Sequence, residues 1–265
     1  MDPTAQFKEQ QKVAWSNFAI FENATATVAP RVVSFAGIKP GARVLDVGCG
    51  TGVLGLTAAR LDARVTGVDL TPELVARAKE NAALMGVDAE WREGDAEALP
   101  MPDAAFDFVV SQFGHMFAPR PEVAVREMLR VLKPGGVIAF ATWPPELFVG
   151  RMFVLMGKYS PPPPAGVSPP ALWGDPHVIR ERLGAGVKDI GFARDVMFFQ
   201  MPSIQHYRVF METNFGPAKN LLKGLDAAEP ARGKALRRDL EQLAAEFFVD
   251  NVLRQDYILT RAVKV

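Results

Sequence analysis

Nine residues constrain this chain more than any others: Val44-Leu45-Asp46-Val47-Gly48-Cys49-Gly50-Thr51-Gly52. The first half reads as a buried strand and the second as a glycine-rich turn. Leu54, Thr57, Ala58 and Leu61 then recur at i, i+3, i+4 and i+7, which predicts a helix. Strand, turn and helix in that order open a nucleotide-type α/β unit. Gly48, Gly50 and Gly52 lack Cβ atoms, so the backbone turns sharply and a ligand can lie against it. Arg64 to Leu70 reads as a second strand ending in Asp69. An acid about 20 residues past such glycines can take both hydroxyls of a ribose. Up to this point a dinucleotide and S-adenosylmethionine fit equally.

Spacing separates the two. A dinucleotide fingerprint, G-x-G-x-x-G, would need glycine at position 53, which is Val53. The chain has G-x-G-x-G preceded by Asp46 instead. A carboxylate there repels a pyrophosphate and attracts a ligand carrying an ammonium and a sulfonium. Asp46 to Gly52 closely resembles the first motif of class I S-adenosylmethionine-dependent methyltransferases. In specific motifs the resemblance covers about residues 40 to 145; from 145 to 265 it is architectural only. It implies an α/β, doubly wound, Rossmann-like fold: a seven-stranded, mostly parallel sheet whose last strand is antiparallel. It also implies N-terminal lid helices and a C-terminal helical cap. The expected organisation is 1–38 as lid helices, 39–145 as the cofactor-binding core and 146–265 as completion of the sheet with cap insertions, all in a single domain.

Composition narrows the function classes. The 30 acidic and 30 basic residues balance, which argues against a general nucleic-acid or anionic-membrane binder. Cys49 is the single cysteine, so no disulfide can form within the chain and a reducing cytoplasm is the expected location. Met1 to Gln11 is polar and reads as no signal peptide. No apolar run approaches a membrane span.

Along the chain, helices are expected from about Ala5 to Glu22, with Trp15 and Phe18 on an aromatic face, and from about Thr25 to Ala36. Thr71-Pro72-Glu73 is a helix start, with Leu74, Ala78, Ala82 and Met85 as its buried stripe and Gly86 as its stop. Strands follow at Ala89–Glu93, Phe106–Phe113 and Val137–Trp143, with a helix at Pro121–Lys133 between the last two. From Pro144 to about Pro176 the alternation breaks. Pro161 to Pro164 and Pro169-Pro170 suggest an extended loop. Beyond it come a short helix at His177–Leu183, a strand at Phe192–Gln200, helical stretches at Ser203–Leu225 and Arg232–Phe248, and a closing strand at Asp256–Val265.

Candidate cofactor residues are Asp46, Gly48, Cys49, Gly50, Asp69, Leu70, Asp95, Ala96, Glu97, Ser111 and Gln112. The resemblance implies that Asp95 accepts from the adenine amine, with Ala96 supplying backbone. The competing reading of Asp95 is a turn residue that bonds its own backbone. Ser111, Gln112 and Phe113 sit where strands end at the carboxyl edge of such a sheet, the usual ligand edge. Substrate candidates are Trp15, Phe18, Phe113, His115, Trp143, His206 and Phe210. His115 is the first candidate base and His206 the second, against the plainer reading of a packed or solvent-bonded histidine. No metal cluster is expected.

The reading is methyl transfer from S-adenosylmethionine to a small acceptor, aromatic or otherwise apolar, by in-line displacement that rests mainly on positioning. The product would be S-adenosylhomocysteine. A nucleic-acid methyltransferase, a non-catalytic cofactor-binding protein and an NAD-type oxidoreductase stay as alternatives. The acceptor atom and the oligomeric state are not legible.

Overall fold

A computed structural model describes residues 3–265. Met1 and Asp2, which begin both the polar segment and the expected lid, lie outside the described residues. Three helices lead in: α1 (Pro3–Trp15), α2 (Glu22–Ala26) and α3 (Ala29–Ala36), with a 3-10 turn at Phe18–Phe21. The alternating part runs β1 (Arg43–Val47), α4 (Val53–Ala59), β2 (Arg64–Asp69), α5 (Pro72–Met85), β3 (Ala89–Glu93), β4 (Phe106–Gln112), α6 (Pro121–Val131) and β5 (Leu132–Thr142). The remainder is α7 (Phe148–Tyr159), α8 (Pro176–Leu183), β6 (Val187–Gln200), α9 (Ile204–Asn214), α10 (Gly216–Ala228), α11 (Pro230–Ala245), β7 (Phe248–Val249) and β8 (Val252–Lys264).

The sheet order is β3-β2-β1-β4-β5-β8-β6, with β7 paired to β8. Strands β1 to β5 pair in parallel. β8 runs antiparallel between β5 and β6, so the last strand closes the sheet by insertion. The mostly parallel α/β sheet with an antiparallel last strand is the expected one, but it has eight strands rather than seven, because the two-residue β7 turns back to pair with the start of β8. The centre is apolar because helices cover both faces: Val44, Leu45 and Val47 of β1 and Val109 and Val110 of β4 are buried. Strand order reverses between β1 and β4, which opens a crevice at their carboxyl ends. Everything described below as the site sits there.

Several boundaries differ from expectation. The first helix breaks after Trp15, and the 3-10 turn swings Phe21 into the core. α4 ends at Ala59, so Leu61 falls past it and is exposed, while Leu54, Leu56 and Ala58 are buried. Met85 is exposed, and Val75 and Asn81 join the buried face of α5. Thr71 makes no side-chain capping bond; its backbone N–H donates to Asp69 Oδ1 at 2.9 Å. The segment 144–176 is not all loop: α7 occupies 148–159, ahead of the prolines, and buries Phe148, Met152 and Met156. A helix there was hidden because the proline runs that follow it dominate the local signal. The helical stretch 203–225 divides at Phe215 into α9 and α10. β5 reaches back to Leu132 through the Lys-Pro-Gly-Gly turn, with a register shift between Phe106 and Phe108 on β4.

Candidate functional site

β1 delivers the backbone into the glycine turn, where Gly48 and Gly50 take left-handed φ of 65° and 54°. Gly48 is also a contact point. A Cβ added there would lie 2.8 Å from the Gly114 backbone, so the turn after β1 and the loop after β4 touch main chain to main chain. Asp69, at the end of β2, binds the turn: its Oδ2 accepts from Gly50 N at 2.8 Å. Asp46 Oδ2 accepts from Gly55 N at 2.9 Å, tying β1 to the first turn of α4. Asp46 Oδ1 is buried with no partner. Burial drives the Asp46 carboxyl up to about 7, with Gly55 opposing and the neighbouring Asp69 charge adding to the rise. Asp69 is raised as well, chiefly by burial. Cys49 shares this environment, and burial holds its thiol well above the ordinary range.

These groups line one end of a cleft of about 1480 Å³, open mouth included. Leu70, Gly94, Asp95 and Ala96 continue that end, and Lys8, Gln11 and Trp15 of α1 roof it. Asp95 Oδ1 accepts from Glu97 N at 2.9 Å, so the residue does make its own turn, while its side chain also borders the cleft. Lys8 Nζ bridges Asp95 and Glu97, at 2.5 and 2.6 Å. This fastens α1 to the end of β3.

The far end has a different character. Phe18, Phe21, Phe153, Phe199, Phe215, Met152 and Met211 line it, together with a stacked pair, Phe113 and Trp143, whose centroids are 3.8 Å apart at 9°. Phe113 reaches that stack with φ of 60°, a left-handed conformation unusual for a bulky side chain. Strain of this kind persists only where the surroundings enforce it. Here Tyr257 meets both rings edge-on.

The expected site residues therefore divide. Asp46, Gly48, Cys49, Gly50, Asp69, Leu70, Asp95, Ala96 and Gln112 come together at one end of the cleft, and Trp15, Phe18, Phe113 and Trp143 border it as well. Five candidates do not reach it. His115 is only 1% exposed, wedged between Phe140 and Trp173 at 4.5 Å from each ring. Neither ring nitrogen has a partner, and burial pushes its pKa down to about 3, with the charge of Arg182 adding to the effect. It is a neutral packing residue and no base. His206 is exposed on α9, its Nδ1 2.8 Å from Ser203 Oγ at the helix start. Phe210 stands behind the wall, against Phe21 and Phe199. Ser111 is a strut: its Oγ donates to Val47 O at 2.6 Å and accepts from His115 N. Glu97 turns away to hold Lys8 and Arg120.

Other lining residues escaped the sequence reading. Lys8, Gln11, Thr25, Gly114, Met197 and Gln255 border the cleft, as does Tyr207, which was noted only as part of the cap. Gln255 carried a usable signal. It falls in phase with Leu253, Tyr257 and Leu259, which are apolar or aromatic and buried.

The fold and this cleft define a class, and comparison with known proteins agrees. A family described as "Methyltransferase domain" matches residues 45–140. A demethylmenaquinone methyltransferase of Thermus thermophilus is 39% identical over 117 residues, 43% of this chain and 53% of that protein. The crystal structure of YcgJ protein from Bacillus subtilis shares the fold, with a TM-score of 0.61 at 22% identity over 90% of this chain and 98% of that one. The chain belongs to the class I S-adenosylmethionine-dependent methyltransferases and is an enzyme of that kind. Within the class it shares its full length with an uncharacterized protein of Mycobacterium tuberculosis, 36% identical over 265 residues, 99% of this chain and 96% of the relative. Among the described residues, no helix is long and apolar enough to cross a membrane.

Proposed function

We propose that the enzyme methylates an apolar small molecule at the aromatic end of the cleft, with S-adenosylmethionine held at the acidic end. One observation carries this reading: a single cavity joins the glycine turn and its three strand-end acids to a wall of aromatic and thioether side chains. Bound S-adenosylmethionine supplies an electrophilic methyl group that needs only an in-line nucleophile. The residues present suit that group. Asp69 offers its carboxylate to the ribose hydroxyls, Asp95 and Ala96 face the adenine, and the unpartnered Asp46 Oδ1 is a ready counter-charge for the methionine ammonium. Gln112, its amide fixed by a 2.8 Å bond from Nε2 to Thr25 O, borders the cleft beside them. Helix α1, pinned through Lys8, excludes water from above. With His115 and His206 away from the cleft, catalysis is by positioning and desolvation, which together can supply several kcal/mol of the barrier. The partial relative named as a demethylmenaquinone methyltransferase supports a small-molecule acceptor. The same reading keeps the 1–38, 39–145 and 146–265 organisation and a cytoplasmic location, where Cys49 stays a free thiol.

The test is calorimetric titration of ligand-stripped protein with S-adenosylhomocysteine, beside NAD and beside Asp69→Ala. Micromolar affinity, about 8 kcal/mol, is expected for S-adenosylhomocysteine, with no binding of NAD and most of the affinity lost in the variant. Binding of NAD, or normal binding by the variant, overturns the assignment.

A further inference from the structure

Buried polar side chains are normally hydrogen-bonded, because an unpaired one forfeits its bonds to water. Gln255 has no partner among the described residues, and its amide keeps accessible surface where it borders the cleft. It is 6% exposed and lies opposite Met197 on the β6–β8 ladder. Its neighbours in phase along β8 are Leu253 and Tyr257, both buried, so a leucine would suit the position better if packing were its only role. Tyr207 of α9, which borders the same cleft and packs against Phe199 on β6, is in a similar state. It is 5% exposed, and its hydroxyl has only a weak 3.9 Å contact with the Met152 sulfur. Two neutral polar groups are thus short of partners on an otherwise apolar wall.

The charges of the cleft have a one-sided distribution. Lys8, Asp46, Asp69 and Asp95 all belong to α1 or to the carboxyl ends of β1, β2 and β3. Among the described residues, nothing charged lines the aromatic end. An ionised acceptor placed there would be desolvated without a counter-ion, at a cost far above that of a neutral one.

Resting on the methyltransferase reading above, we infer that the acceptor is an uncharged molecule with an aromatic body and a hydroxyl or carbonyl group, and that Gln255 and Tyr207 bind that polar group. The stacked Phe113 and Trp143 rings offer the body an aromatic surface. The Gln255 amide both donates and accepts, so it serves a hydroxyl or a carbonyl alike, and the Tyr207 hydroxyl adds a second donor. Gln255 is then a specificity-determining residue: an acceptor lacking the polar group leaves the amide unpaired, and discrimination follows from that penalty.

Equilibrium dialysis at pH 7.5 against 1-naphthol, 1-methylnaphthalene and 1-naphthoate tests this, with the protein saturated in S-adenosylhomocysteine. The wild type should bind 1-naphthol at least about tenfold tighter than 1-naphthoate and several-fold tighter than 1-methylnaphthalene. Gln255→Leu should bring 1-naphthol and 1-methylnaphthalene within about twofold of each other. It should bind S-adenosylhomocysteine normally and melt no lower than wild type. Tyr207→Phe should weaken the preference in the same direction. Failure of 1-naphthol to bind, equal binding of 1-naphthoate, or an unchanged preference in Gln255→Leu overturns the inference. The methyltransferase reading fails separately, on loss of S-adenosylhomocysteine binding by the wild type.

Discussion

Asp46 should make the unliganded enzyme less stable as pH rises, the reverse of ordinary acid denaturation. Its carboxyl is 1% exposed, one oxygen bonds only to Gly55 N, the other bonds to nothing, and it holds its proton up to about 7 against 3.8 in a free chain. A raised folded-state pKa contributes stability that is fully present below pH 3.8 and is lost as pH climbs through about 7. The window is about three pH units wide, and each unit is worth about 1.4 kcal/mol, so the loss is at most about 4 kcal/mol. Asp69, also raised, adds in the same direction. The lowered surface carboxylates, such as Asp107 beside Lys133, act at the acid side of the window. His115, buried neutral with its pKa pushed down to about 3, contributes stability that rises with pH up to 6.5, so the Asp46 effect is read as a difference between wild type and Asp46→Asn, which share His115. Urea unfolding between pH 4.5 and 8 should therefore show the stability of the wild type relative to Asp46→Asn falling by about 3 kcal/mol. Near pH 8 the Asn variant should be the more stable protein. Saturating S-adenosylhomocysteine should flatten the wild-type curve, because a ligand ammonium favours the ionised carboxylate. A difference between wild type and Asp46→Asn that stays level or grows in favour of the wild type across this range would refute the reasoning.

Three further outcomes are expected. His115→Leu should keep full turnover at saturating acceptor and gain stability, because an imidazole with two unpaired nitrogens gives way to an apolar side chain; loss of kcat would restore a catalytic role. Gly114→Ala places a Cβ within bonding-clash distance of the Gly48 carbonyl oxygen and 2.7 Å from its Cα, so the glycine turn must move. Strain of about 1–3 kcal/mol and at least about tenfold weaker S-adenosylhomocysteine binding should follow, read by urea unfolding and calorimetry. Lys8→Met removes one of two cations from the buried Glu97 while leaving Arg120, so a loss of about 1–3 kcal/mol is expected, with faster protease cleavage within α1; unchanged cleavage would show that Lys8 does not fasten the helix.

Local sequence carried the glycine-turn end of the cleft almost entirely. Each of its parts is short-range: a buried strand, a turn that only glycine tolerates, and an acid at the next strand end. Asp46, Gly48, Gly50, Asp69, Asp95 and Ala96 therefore reached the cleft as expected. The resemblance extended that reading to a mostly parallel sheet with an antiparallel last strand. Residues just past the strand ends were misjudged for a different reason. Backbone direction reverses within one or two positions there, and sequence does not say which side chain faces the crevice. Ser111 bonds to Val47 O and His115 drops beneath the sheet edge against Phe140, while Phe113 between them takes a left-handed φ and faces the cleft.

The amino-acid sequence by itself determined the class of enzyme, because its chemistry sits in one contiguous strand-turn-helix unit and two acids in register behind it. Only the tertiary structure decided the aromatic end of the cleft. Gln255 lies on the last strand and Tyr207 on a cap helix, and they border one cleft with Trp143 only because β8 is inserted antiparallel between β5 and β6. A polar residue at one inward strand position is ambiguous in the chain. It acquires meaning when folding denies it every partner and turns it toward an apolar cleft.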